Sequence, residues 1–111
     1  MPHLLLEYSH NLSSRIQDTN LLVQLHDIVE SSGIFSKSSL KSRGRSYDEV
    51  HITGNNESFL HITLMMLEGR NVETRNALAE SLFKITKASI PYTDQISVDI
   101  REMDAATYQK T

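Results

Sequence analysis

Apolar and polar positions along this chain recur with two different periods, and the places where the period changes lay out its elements. His3 to Tyr8, centred on Leu4, Leu5 and Leu6, reads as a short strand. The polar stretch from Ser9 to Asn20 follows, with helix-entry residues at Asp18 and Asn20. Leu21, Leu22, Leu25, Ile28 and Val29 then recur at helical spacing, and Gly33 supplies the stop. Leu40 to Ile52 suits a long strand, and Gly54, Asn55 and Asn56 are turn residues after which a return strand begins. Phe59 to Leu67 is the most hydrophobic run; free of Gly and Pro, it predicts a central strand that Gly69 ends. Asn71 is placed to cap a second helix carrying Leu78, Leu82 and Ile85 in one stripe, with Ala79 and Phe83 beside it and Pro91 closing it. Ile96, Val98 and Ile100 alternate with Ser97, Asp99 and Arg101, the period of a half-buried strand.

The order strand, helix, strand, then strand, helix, strand predicts an α+β fold built from a doubled βαβ unit. Right-handed crossovers would put two helices on one face of a four-stranded sheet, leaving the other face for neighbouring subunits. The halves share no residue-level repeat. A length of 111 residues fits one domain over 1–111, with 104–111 as a loose tail or an intersubunit arm. Cysteine is absent, which removes disulfides, thiolate catalysis and cysteine zinc sites, and the expected location is the cytoplasm. No run approaches a membrane span of roughly 20 apolar residues. A net charge of −3 argues against broad nucleic-acid binding, so a basic cluster here is local and aimed at something small.

Two features carry candidate chemistry. Pro2 heads the first strand, and removal of Met1 would make it an N-terminal secondary amine, a rigid base whose pKa nearby cations would lower; the plain alternative is a proline that stiffens a terminus. Lys37, Lys41, Arg43 and Arg45 form the densest positive cluster, and a period of two puts the last three on one face of the second strand. Such an arrangement suits a carboxylate ligand, or equally a charged, solvated edge strand. Arg70, just before the proposed cap Asn71, is a second place for an anion or an ordinary surface arginine. His3, His10, His26, His51 and His61 make no metal-ligand pattern, although His51 and His61 could approach across the expected hairpin. Neither a nucleophile elbow nor a phosphate loop is present. Met65 and Met66 read as core or subunit packing.

Taken together, Pro2, the doubled βαβ pattern and the cationic second strand resemble the tautomerase superfamily, whose members use an amino-terminal proline as base. Within it the chain is most similar to the 5-carboxymethyl-2-hydroxymuconate isomerase family. The resemblance runs through Met1-Pro2-His3, Gly33-Ile34-Phe35, Ser42-Arg43, His61-Ile62-Thr63-Leu64, Gly69-Arg70 and Glu73-Thr74-Arg75, in the family's order across nearly the whole chain. It implies a homotrimer with sheets inside and helices outside, no metal and no organic cofactor, in aromatic-acid breakdown. Residue by residue, it makes Pro2 the base and acid that moves a proton between a dienol and a ketone, and Arg70 a carboxylate binder. Where the family has arginine, serine, arginine, this chain has Lys41, Ser42, Arg43. Lys41 keeps the charge without the planar fork, which points to a shifted substrate preference, and Arg43 is a further helper.

The expected function is therefore a cofactor-independent isomerase or tautomerase for an unsaturated 2-hydroxy di- or tricarboxylic acid such as 5-carboxymethyl-2-hydroxymuconate. Two alternatives stand beside it. One is a non-catalytic trimeric module binding a small carboxylate or a protein; the other is a tautomerase or hydratase for a different dienol acid.

Overall fold

The computed structural model describes residues 2–36 and 39–111, so Met1 and the predicted cation Lys37 lie outside the described residues. Its elements are β1 (His3–Ser9), α1 (Ser13–Asp18), α2 (Leu21–Ser31), β2 (Lys41–Tyr47), β3 (Phe59–Leu67), α3 (Val72–Ser89) and β4 (Gln95–Met103), with a single 3₁₀ turn at His10–Leu12. The strands form one sheet in the order β2-β1-β3-β4. β1 and β2 run parallel, as do β3 and β4, and the two pairs join through antiparallel β1 and β3. This is the predicted doubled βαβ fold, with α2 and α3 as the crossovers.

The register assigns every strand residue to a face. Leu4 opposes Leu64 and Leu6 opposes Ile62, and with Leu60 and Met66 these residues are buried beneath the helices. Leu21, Leu25 and Val29 from α2, and Leu78 and Leu82 from α3, close that core. The other face carries His3, Leu5, Glu7, Lys41, Arg43, Arg45, His61, Thr63 and Met65. Among the described residues no element covers it as the helices cover the first face, and Leu5, Thr63 and Met65 are only half-buried.

Four sequence expectations need correction. The polar stretch before Asn20 contains α1, because Leu12 and Ile16, one helical turn apart, both bury their side chains. Asn20 does not cap α2 with its side chain; it takes a left-handed conformation (φ 54°, ψ 40°) that joins α1 directly to α2. β2 ends at Tyr47 rather than Ile52. Gly54 and Asn55 do turn the chain, but β1 inserts between β2 and β3, so these two strands form no hairpin. Accordingly His51 is exposed in the connection, while His61 Nδ1 pairs with Ser97 Oγ at 2.6 Å.

Among the described residues no helix is long and apolar enough to cross a membrane. The last residues fold back on the chain: the amides of Thr107 and Tyr108 both bond the Asp104 carbonyl, and the Tyr108 hydroxyl reaches His3 Nε2 at 2.9 Å.

Candidate active site

Three of the four predicted site residues gather at one end of the sheet, where β1 and β2 begin and β3 ends. Pro2 is buried immediately before β1, in phase with Leu4 and Leu6, and its carbonyl accepts the Lys41 amide at 3.2 Å. A main-chain bond thus ties the start of β2 to the proline. The Lys41 side chain belongs to the opposite, open face, because Lys41 lies in register with His3. It is exposed, as is Arg43 two residues on.

Arg70 reaches the same end from the turn after β3. Gly69 adopts φ 123°, which a side chain would disfavour, and redirects the chain from the strand towards α3. Asn71 then caps α3 as predicted, its Oδ1 accepting the Thr74 amide at 2.9 Å. The Arg70 guanidinium donates from NH1 to the Leu67 carbonyl and from NH2 to the Ile34 carbonyl, each at 3.1 Å, and lies 4.8 Å over the Phe35 ring. Behind it, Arg75 Nε donates to the Arg70 carbonyl at 3.4 Å and Arg75 NH1 lies 3.7 Å from Glu102. The arginine is therefore held by both the β3–α3 turn and the connection after α2.

On the open face, Arg43 NH1 meets His3 Nδ1 at 3.3 Å. A guanidinium has only donors, so Nδ1 accepts; Nε2 then carries the proton and donates to the Tyr108 oxygen. Burial, followed by the charges of Arg43 and Lys41, lowers the His3 pKa from its ordinary 6.5. Further along, Tyr47 donates to Glu7, and this bond raises the phenol's pKa. Among the described residues, Lys41, Arg43 and Arg70 form no ion pair with a carboxylate, so the chain leaves their charge available.

Volume alone would direct attention elsewhere. A depression of about 760 Å³ lies between α2 and α3 and is lined by Ile28, Ile34, Leu78, Ile85 and several serines, with Lys84 its one titratable group. None of the four predicted residues lines it. Arg43 instead borders a smaller hollow of about 280 Å³ with Leu5, Glu7 and Arg45. Among the described residues no group of three or more His, Cys, Asp or Glu is placed to hold a metal ion.

Sequence reasoning missed the partners rather than the charges. Phe35 stood in a recognisable Gly33-Ile34-Phe35 segment, yet nothing local connects it to Arg70. Tyr108 carried no signal at all, since its partner His3 is 105 positions away.

The arrangement buries a proline at the sheet end with a donor-rich guanidinium at that same end and unpaired cations on the neighbouring face. Cationic donors that have no carboxylate partner among the described residues suit an anionic ligand. The family model described as "CHMI: 5-carboxymethyl-2-hydroxymuconate isomerase" matches residues 2–111. A 5-carboxymethyl-2-hydroxymuconate Delta-isomerase from Escherichia coli is 27% identical over 89 residues, which is 78% of this chain and 71% of that protein. Among solved structures, a 5-carboxymethyl-2-hydroxymuconate isomerase from Deinococcus radiodurans R1 superposes with a TM-score of 0.87 at 24% identity, covering 99% of this chain and 88% of the other. A structure described as a W0 fused 4-OT wild type symmetric trimer gives a TM-score of 0.75 at 15% identity, covering 98% and 93%.

Proposed function

Because the chain belongs to the 5-carboxymethyl-2-hydroxymuconate isomerase family, and is thereby an isomerase of the tautomerase superfamily, we propose that it shifts a proton within 5-carboxymethyl-2-hydroxymuconate or a closely related 2-hydroxydienoate, with Pro2 as the proton carrier. With Met1 removed, Pro2 is a secondary amine. Its neutral form takes a proton from one end of the conjugated system, such as the 2-hydroxyl, and returns a proton to a carbon at the other end. Double bonds shift between the two points and the molecular formula is unchanged. One group serves as base and then as acid, so the ammonium form must be neither too stable nor too unstable. Cations nearby disfavour it and bring the amine towards neutrality at working pH.

Arg70 and Lys41, assisted by Arg43, hold the substrate's carboxylates and stabilise negative charge on the oxygen as the hydroxyl proton leaves. A homotrimer completes this constellation. In one chain the Lys41 and Arg43 side chains stand across the sheet from the core side with which Pro2 is in phase, so a neighbouring copy is the natural source of these cations. The half-buried Leu5 and Met65 on the open face support such packing, as does the trimeric assembly named for the fused 4-OT structure. The site works without a metal or organic cofactor.

The observation that carries this reading is that buried Pro2, just before β1, and Arg70, just after β3, lie at the same end of the sheet. Its test is the ultraviolet-monitored isomerisation of 5-carboxymethyl-2-hydroxymuconate by protein whose intact mass shows Met1 gone, compared with Pro2→Ala in the same assembly state. We expect Pro2→Ala to lose at least about a hundredfold in kcat, the scale of a positioned general base. An unchanged rate would remove Pro2 from the chemistry. Absence of turnover in the parent protein would shift the substrate to another dienol acid.

A further inference from the structure

We propose that Phe35 is a positioning residue for Arg70, its ring fixing the plane of the guanidinium so that a substrate carboxylate meets a ready-made fork. The inference rests on the reading that Arg70 binds that carboxylate. An arginine head carries five N–H donors. NH1 and NH2 each direct one to a main-chain carbonyl, at Leu67 and Ile34, and the remaining three have no acceptor among the described residues.

The two carbonyls alone do not explain the phenylalanine. They constrain the guanidinium from two sides, whereas the guanidinium carbon itself lies 4.8 Å over the face of the Phe35 ring. An aromatic face attracts a cation through its quadrupole and occupies none of the in-plane donors. A carboxylate partner in that position would have fixed the arginine equally well, but would have cancelled its charge and filled the fork. Among the described residues Arg70 has no such partner. The support itself is anchored: Gly33, at φ 76°, turns the chain out of α2, and both Ile34 and Phe35 pack against the core. On the other side, Arg75 holds the Arg70 carbonyl and is itself near Glu102. The arginine is thus ordered before substrate arrives, so binding need not supply the freedom lost by a long side chain.

The experiment is a double-mutant cycle in kcat and KM for 5-carboxymethyl-2-hydroxymuconate, using Phe35→Leu, Arg70→Ala and the pair. Thermal melts and elution volume establish that each protein is folded and assembled, and Arg70→Lys, which keeps the charge without the fork, takes the place of Arg70→Ala if that variant does not fold. We expect Phe35→Leu to lower kcat/KM by roughly three- to thirtyfold, chiefly through KM, the range open to a partly desolvated cation–aromatic contact. Phe35→Tyr, which keeps the ring, should stay within about twofold of the parent. In the Arg70→Ala background, Phe35→Leu should add nothing. If Arg70→Ala is impaired and Phe35→Leu is either silent or additive to it, the inference about Phe35 is overturned and the role of Arg70 stands. If Arg70→Ala leaves kcat/KM unchanged, Arg70 does not bind substrate and both readings fail.

Discussion

Two adjacent residues on α3 give a sharp test of how the helix sits on the sheet. Leu82 is 0% exposed and belongs to the core that includes Leu60, Ile62 and Leu64, whereas its neighbour Phe83 is 38% exposed. Truncating Leu82 to alanine removes buried methyl groups and leaves a cavity that a helix packed on the sheet beside α2 can close only in part. Such Leu→Ala changes cost about 2.7–5.0 kcal/mol, and the full burial here points to about 3.5 kcal/mol. Phe83→Ala removes a larger side chain but opens no internal cavity, so about 1 kcal/mol is expected. For 111 residues, an unfolding entropy of about 2.1 cal/mol/K per residue makes one degree worth about 0.23 kcal/mol, so Leu82→Ala should melt about 15 °C lower and Phe83→Ala about 4 °C lower. Calorimetry or circular dichroism at one fixed protomer concentration gives the comparison, since assembly makes Tm depend on concentration. Equal losses, or a greater loss at Phe83, would refute the assignment of helix faces and with it the orientation of the turn that carries Arg70.

The remaining predictions follow from single contacts. Asn71→Ala, which removes the cap on the Thr74 amide, should cost about 1 kcal/mol in chemical denaturation, while Asn71→Asp should retain most of it. His3 has a folded pKa below its ordinary 6.5, from burial and then from Arg43 and Lys41. As pH falls below 6.5, the unfolded chain binds a proton at His3 before the folded chain does, so stability declines towards the lowered folded pKa. His3→Gln should flatten that part of a stability–pH curve, and an unaltered slope would exclude His3 as its source. Lys41→Ala should raise KM by about tenfold, the effect of losing one charge-assisted carboxylate contact, with assembly unchanged by light scattering; an unchanged KM would exclude Lys41 from substrate binding.

Elements whose burial is fixed by their own local pattern were legible in the sequence. Phe59–Leu67 is both the predicted and the observed span of β3, because an uninterrupted apolar run has few other stable uses. Asn71 was readable for a similar reason: its side chain acts on an amide three residues away. α1 was not, since Leu12 and Ile16 alone are too few to set a period in a polar stretch. Residues Gly54 and Asn55 gave a correct turn and a wrong partner. Turn chemistry reports that the chain reverses, but says nothing about β1 entering between the two strands. The candidate charges could likewise be listed from sequence, whereas the support of Arg70 by Ile34 and Phe35 could not. That support depends on two connections brought together by the packing of α2 and α3.

The central position of β1 also shapes how the fold can be reached. β1 precedes both its neighbours in the chain, and His3 must wait for Lys41 on one side and Met65 on the other. A fragment ending before Phe59 would hold only a two-stranded parallel ribbon, lacking the antiparallel partner that buries Leu4 and Leu6. No autonomous early half is therefore expected. Long-range closure must come before most of the stabilising contacts, which favours folding slower than that of a helical bundle of equal size. Until β3 docks, the apolar head of β1 stays open to pairing with other chains, so the segment that presents the proline is also the one most prone to aggregation during folding.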